Sequence, residues 1–113
     1  MHELSLMEGV LGIVMEAQRE HGFRKVLRIA LERGALSSAE PEALRFCFDV
    51  VMAGSVAEGA LLELLEVPAL GVCGGCGETV EVSARAELCR TCGGVVGEIT
   101  QGTDLRIKDL EVE

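Results

Sequence analysis

The chain has 113 residues, 49% apolar and 26% charged, so it has the length of one domain, or of one domain with a small module, and can bury a core. Its only aromatic residues are three phenylalanines, which predicts an aliphatic core. The formal net charge of -9 argues against general nucleic-acid binding and is compatible with a cation or a basic protein as partner.

Residues 2–20 are predicted to form a helix. Their apolar residues recur at helical spacing on one face, at Leu4, Met7, Leu11 and Val14. Gly22 suits the left-handed position that follows a helix. His21 suits the last helical turn, where a cation is favoured. Its presence can therefore be explained by the helix end, without a role as a metal ligand.

A strand, a second helix and a second strand are predicted next. Over residues 24–33, the alternating Leu27, Ile29 and Leu31 are typical of a half-buried strand. Pro41 suits the first position of a helix that ends near Gly54. The predicted buried face of that helix consists of Leu44, Cys47, Phe48 and Val51. The stretch "GALLELLEVP" (59–68) predicts a strand that its proline ends.

Glycine and cysteine are concentrated between residues 71 and 97, and "EITQGTDLRIKDLEV" after them predicts two short strands around Gln101 and Gly102. The order of elements indicates an α+β fold, with a cysteine module on one edge of a small sheet. No segment has the length and apolar character of a membrane-spanning helix, and no signal peptide is recognisable, so we expect a cytoplasmic protein. In that reducing compartment cysteines serve as metal ligands or free thiols.

Two C-x2-C pairs, separated by twelve residues, are the strongest motif in the chain. Four thiolates at such spacing are typical of a structural zinc site, because they leave no coordination position open for chemistry. The expected zinc ligands are Cys73, Cys76, Cys89 and Cys92. Gly77 and Gly93, which follow the two pairs, are expected to let the backbone fold over the metal and direct N–H groups at the sulfurs.

Two other functions could use this motif. A zinc ribbon in a nucleic-acid or transcription accessory protein is the first, but residues 68–103 contain more acids than bases and no stacking aromatic residue. The second is an enzyme that uses Cys47 or a redox C-x2-C pair. Cys47 is predicted to be a buried, inert thiol, and the chain has no recognisable nucleophile–base pair or phosphate loop, so we expect no enzyme.

The sequence opens with Met1, His2 and Glu3. A terminal amine, the His2 imidazole and backbone nitrogens can surround Ni(II) or Cu(II) in a plane. Glu3 could add a carboxylate oxygen or orient His2. From these residues alone, a solvated terminal histidine is the more common explanation.

Taken together, these segments resemble the HypA/HybF family of nickel chaperones for hydrogenase maturation. The resemblance covers nearly the whole chain: "MHELSLMEGV", "PEALRFCFDVV", "GALLELLEVP", both C-x2-C pairs and "ITQGTDLRIKDLEVE". It implies a small three-stranded sheet with two helices, formed by residues 1–67 and completed by a strand at 104–113. The four-cysteine zinc ribbon, residues 68–103, is inserted in this nickel domain.

The resemblance also implies the sites and the partners. Ni(II) is expected on the Met1 amine, the His2 imidazole and the backbone at His2 and Glu3, with Glu40 in a supporting position, and Zn(II) on the four cysteines. The expected partners are a HypB-type GTPase and the large subunit of a nickel–iron hydrogenase, and some family members also serve urease maturation. Neither nucleic acid nor membrane is expected as a partner, and the chain is expected to be a monomer or a weak homodimer.

The chain departs from the family beside the zinc ligands. Many members carry histidines there that are linked to a pH-dependent change of zinc ligation. Here Gly77, Glu78, Gly93 and Gly94 occupy those positions. We therefore expect a zinc site that keeps four thiolate ligands in mild acid.

Overall fold

The computed structural model describes residues 2–113, and Met1, whose amine is an expected nickel ligand, lies outside the described residues. The elements are α1 (His2–His21), β1 (Val26–Gly34), α2 (Pro41–Met52), β2 (Leu61–Val67), β3 (Ala69–Cys73), β4 (Thr79–Val82), β5 (Val96–Gln101) and β6 (Leu105–Val112). They form two three-stranded sheets, with the strand orders β2-β1-β6 and β4-β3-β5. The predicted α+β fold, with two helices and a four-cysteine module, is confirmed. No described helix is long and apolar enough to cross a membrane.

The chain divides into two compact units. Unit 1 comprises the chain up to Leu31, Ala39–Leu65 and Arg106–Glu113, and unit 2 comprises Glu32–Ser38 and Glu66–Leu105. Unit 2 thus contains the connection that leads from β1 towards α2, and the half-buried Leu36 of this connection packs against the unit 2 core.

In unit 1, α1 packs against α2, and among the described residues Phe48 is the only aromatic side chain that is buried. The predicted helix bounds are correct to within two residues, but the buried faces differ in part. In α1, Val10 is buried, while Leu4 and Leu11 are only half-buried. In α2, Met52 is buried, whereas the predicted Val51 is only half-buried. Apolar residues occupy neighbouring positions on both helices, so spacing alone did not determine which of them face the core.

The prediction of a half-buried β1 was wrong in detail. Leu27 is exposed, whereas Ile29, Ala30 and Leu31 are buried in succession. Side chains alternate between the two faces of a strand, so three consecutive buried residues mean that both faces of β1 are covered at this point.

The neighbours of β1 run in different directions. The backbone pairs Arg24 with Glu113 and Gly34 with Asp104, so β6 is antiparallel to β1. Arg28 on β1 pairs with Glu63 on β2, and Arg33 pairs with Glu66. Because the partners follow one another in the same order along both strands, β2 is parallel to β1. Arg28 also reaches Asp109 and Glu111 on β6, so one guanidinium connects all three strands.

Unit 2 is built on β3, which pairs antiparallel with both β4 and β5. The first of the two strands predicted around Gln101 and Gly102 corresponds to β5, but the sequence predicted no separate strand before Cys73. The core of the unit is small and consists of Ala69, Cys73, Val82, Cys89 and Val96. Because two of these five residues are expected metal ligands, the metal site and the core are one structure.

Two glycines allow a close backbone crossing in unit 2. The N–H of Leu36 donates to the carbonyl oxygen of Gly102 at 2.9 Å, and Gly102 has a φ of 94°. A methyl group on Gly34 would overlap the carbonyl group of Gly102, and one on Gly102 would overlap Ala69. No other residue type fits at these two positions without a shift of the backbone.

Candidate metal sites

The four cysteines of the two C-x2-C pairs lie together in unit 2. Their sulfur atoms are all within 4.8 Å of one another. Cys73 Sγ lies 3.3 Å from Cys92 Sγ, and Cys76 Sγ lies 4.0 Å from Cys89 Sγ. Four sulfurs at zinc–thiolate distance on a tetrahedron lie about 3.8 Å apart, so the cluster already has the dimensions that a zinc ion requires.

The two pairs form equivalent turns. The N–H of Cys73 donates to the carbonyl oxygen of Glu78 at 2.9 Å, and that of Cys89 donates to Gly94 at 2.7 Å. In return, Gly77 donates to the Cys73 carbonyl oxygen and Gly93 to that of Cys89, each at 2.9 Å. These glycines have φ values of 76° and 77°, a left-handed conformation that closes each turn and brings its two sulfurs to one point.

Backbone N–H groups in the two turns are directed at sulfur. Gly75 and Cys76 donate to Cys73 Sγ at 3.3 and 3.4 Å, and Gly94 donates to Cys92 Sγ at 3.4 Å. Gly77 and Gly93 donate their own N–H groups to carbonyl oxygens, and their left-handed backbone closes the two turns. Their left-handed backbone was predictable from glycine, but the direction of each N–H depends on the closed turn.

These donors prepare the cluster for a cation. The N–H of Cys76, the neighbouring Cys92 thiol and the N–H of Gly75 lower the pKa of Cys73 to about 6. The backbone N–H groups of Cys92 and Thr91 lower the pKa of Cys89 as well. The N–H of Glu78 lowers the pKa of Cys76, but partial desolvation of its sulfur and the other three sulfurs outweigh it and raise that pKa to about 12. A thiophilic cation would displace the remaining protons.

The sulfur cluster is half inside the unit and half at its surface. Cys73 and Cys89, the first cysteine of each pair, are buried in the core, whereas Cys76 and Cys92 are exposed. Cys47, the fifth cysteine, is buried on α2 and does not belong to the cluster, as expected of an inert thiol.

The second candidate site is at the start of α1. His2 is the first residue of the helix, its side chain is 52% exposed, and its Nδ1 lies 3.6 Å from Glu3 Oε2. The first N–H groups of a helix have no acceptor within the helix, so the backbone nitrogens of this turn are not committed to helical hydrogen bonds. The half-exposed imidazole is therefore accessible to a metal ion.

The carboxylate of Glu3 connects the first turn of α1 to α2. Its Oε2 accepts the N–H of Glu40, which is the N-cap residue of α2, at 3.2 Å. The pKa of Glu3 lies below its usual value, because its carboxylate accepts its own N–H and that of Glu40, with a smaller contribution from His2. Glu40 was expected to support the site as an acid. The contact that the structure shows is instead made by its backbone, which no sequence motif indicates.

His21 cannot join His2 at this site. The two histidines are the first and last residues of α1, and a helix of that length separates them by about 30 Å. His21 Nε2 lies 3.9 Å from Glu20 Oε2 in the last turn of α1, in agreement with the predicted role at the helix end.

The sequence of the chain is similar to those of known proteins. A family model described as "Hydrogenase/urease nickel incorporation, metallochaperone, hypA" matches residues 1–112. The chain belongs to this family. It is 52% identical over 113 residues to the hydrogenase maturation factor HypA of Acidithiobacillus ferrooxidans. It is 46% identical over 113 residues to hydrogenase maturation factor HypA 2 of Bradyrhizobium diazoefficiens, and both comparisons cover 100% of each chain.

The fold is also similar to that of a solved member of the HypA family. The solution structure of the Ni metallochaperone HypA from Helicobacter pylori superposes with a TM-score of 0.72, covering 97% of this chain and 96% of that one. The sequence identity is 22%, so this similarity concerns the fold. The chain is thus a member of the hydrogenase/urease nickel metallochaperone family and carries a group of four cysteines that could hold a metal ion.

Proposed function

We propose that this chain binds Ni(II) at its N-terminal residues and, with a GTPase partner, delivers it to the large subunit of a nickel–iron hydrogenase. The observation that carries the proposal is the full-length family match, which begins at the residues Met1, His2 and Glu3. The expected nickel ligands are the Met1 amine, the His2 imidazole and the backbone nitrogens of His2 and Glu3.

The surroundings of His2 support a site for cargo rather than for a permanent metal. The His2 side chain is half-exposed, and the first turn of α1 is connected to α2 by the hydrogen bond from Glu40 to Glu3. An exposed site on a positioned turn lets an acceptor protein reach the metal. In this account Glu3 positions His2 through its carboxylate and contributes a ligand only through its backbone.

We propose that the resident metal is Zn(II), held by Cys73, Cys76, Cys89 and Cys92. Sulfur separations of 3.3 and 4.0 Å fit the ion, and four thiolates suit zinc. When bound, zinc would stabilise unit 2, whose core includes two of the ligands. No histidine lies within the ribbon, so the ligands are expected to remain four thiolates in mild acid.

Nickel titration calorimetry on zinc-loaded protein tests the nickel proposal, and α1 supplies a matched pair of variants. His2→Ala should abolish nickel binding, while His21→Ala, at the other end of the helix and also exposed, should bind as the unchanged protein does. Elemental analysis should find the same zinc content in all three proteins. If His2→Ala retained nickel, or if both variants lost it equally, the N-terminal site would be wrong.

A further inference from the structure

The two turns of unit 2 bring an exposed sulfur and a buried sulfur close together. Cys92 is exposed, Cys73 is buried in the core of the unit, and their sulfur atoms lie 3.3 Å apart. The other exposed cysteine, Cys76, lies farther from its buried neighbour, with 4.0 Å between its sulfur and that of Cys89. Of the two exposed cysteines, Cys92 therefore has the nearer buried sulfur beside it.

Two glycines leave the Cys92 sulfur without a side chain over it. A methyl group on Gly75 would lie 3.3 Å from Cys92 Sγ, and one on Gly94 would lie 3.3 Å from the sulfurs of both Cys73 and Cys92. Neither glycine has a positive φ, so the backbone conformation does not itself require glycine at these positions. A molecule as small as hydrogen peroxide can reach the Cys92 sulfur past them.

The expected metal keeps these sulfurs in their reactive form. A thiol that is bound to zinc is deprotonated, and the thiolate is the nucleophilic form of cysteine. Oxidation is favoured where a thiolate is accessible to solvent and a second cysteine lies close enough to form a disulfide. Cys92 meets both conditions, whereas Cys47 is buried in unit 1 and lies outside the sulfur cluster.

We propose that Cys92 is a site of oxidation by hydrogen peroxide, and that Cys73 converts the oxidised sulfur into a disulfide. The inference rests on the proposed zinc site. The Cys92 thiolate attacks one peroxide oxygen, the O–O bond breaks, and a sulfenic acid and a hydroxide ion form. The Cys73 thiolate then attacks the Cys92 sulfur and displaces a second hydroxide ion. Two protons from solvent convert both hydroxide ions to water, so two electrons pass from the thiolates to the peroxide.

The disulfide changes the metal site without separating the two turns. It leaves Cys76 and Cys89 as the remaining thiolates, which are too few to hold a zinc ion in a closed tetrahedral site. The new bond also joins the same two turns that the metal joins. A thiol reductant therefore restores all four ligands, and the zinc content of the chain depends on the level of peroxide.

Peroxide treatment of zinc-loaded full-length protein tests the proposal. A chromophoric chelator measures the released zinc, and mass spectrometry identifies the disulfide after free thiols have been alkylated. We expect loss of the bound zinc, a Cys73–Cys92 disulfide and an unoxidised Cys47. A thiol reductant followed by added zinc should restore the original zinc content.

A methyl group over the Cys92 sulfur supplies a variant with a matched control. Gly75→Ala should slow zinc release about threefold, because its methyl group obstructs the approach of peroxide and raises the barrier to attack. Gly97→Ala, which also lies in unit 2, should release zinc at the unchanged rate, because a methyl group there meets nothing within 4 Å. Elemental analysis before treatment should find equal zinc in both variants.

Three results would overturn the proposal: zinc that peroxide does not release, a disulfide within one C-x2-C pair, or equal slowing in Gly97→Ala. If Gly75→Ala held less zinc at the start, the disulfide found in the unchanged protein would decide alone. A full-length protein that takes up no zinc would contradict the zinc site itself, so the two failures are distinguishable.

Discussion

The backbone crossing of Gly34 and Gly102 predicts unusual sensitivity to a single methyl group. Gly34 has an ordinary φ, but its methyl group would overlap backbone atoms of Gly102, which no side-chain rotation can relieve. Overpacking of this kind costs about 3 kcal/mol. In Gly102→Ala, the left-handed φ of 94° adds about 1 kcal/mol of backbone strain. For a domain with a total stability of about 5–15 kcal/mol, either change is severe.

Gly97 is the matched control for Gly34. It also lies in unit 2, on β5, and a methyl group there would meet nothing within 4 Å. Gly97→Ala should therefore be neutral, or more stable by up to about 1 kcal/mol, because alanine restricts the unfolded chain. Urea unfolding of zinc-loaded protein, followed by far-ultraviolet circular dichroism because the chain has no tryptophan or tyrosine, measures all three variants. If the free energy of unfolding of Gly34→Ala were within about 0.5 kcal/mol of that of Gly97→Ala, the close backbone crossing would be refuted.

Three further predictions concern the contacts that hold the sites and the sheet. Glu3→Gln should lower the urea midpoint at pH 7. The folded-state pKa of Glu3 is lowered, so its contribution is complete above the usual carboxyl pKa of about 4.3, and the difference from the unchanged protein should shrink as the pH falls below that value and through the lowered pKa. Cys73→Ser should remove zinc and the exchange protection of β3, whereas Cys47→Ser should keep both, and retained zinc in Cys73→Ser would contradict the four-thiolate site. Arg28→Gln should lower the urea midpoint, because it leaves three carboxylates without their shared cation. Added salt should reduce this loss of stability, and a loss that salt does not change would argue against charge repulsion as its cause.

Local patterns in the sequence predicted most of the elements and the clustering of the four cysteines. Pro41 begins α2 and Gly22 follows α1 in the left-handed conformation, because such residues act through their own backbone. The two C-x2-C pairs were recognisable because each one closes a turn within a few residues. Buried faces were harder to predict. Leu11 and Val10 are adjacent and both apolar, and only the packing against α2 determines that Val10 is the more buried.

Contacts between distant segments could not be read from the sequence. Glu3 and Glu40 are 37 residues apart, and their contact uses a backbone N–H, which carries no sequence signature. The same holds for Arg28, whose carboxylate partners on β6 follow it by more than eighty residues. The crossing at Gly34 and Gly102 likewise requires the folded chain, although glycine at both positions is a condition for it.

The central claim of this account is that nickel binds the N-terminal amine together with His2. The most direct test is nickel titration of the native protein against a form with one additional N-terminal residue, with zinc content and circular dichroism as controls. The extension removes the Met1 amine from the site but leaves His2, Glu3 and the four cysteines unchanged. We predict that the extended protein loses nickel binding and keeps its zinc. Nickel binding of unchanged affinity in the extended protein would contradict the planar N-terminal site.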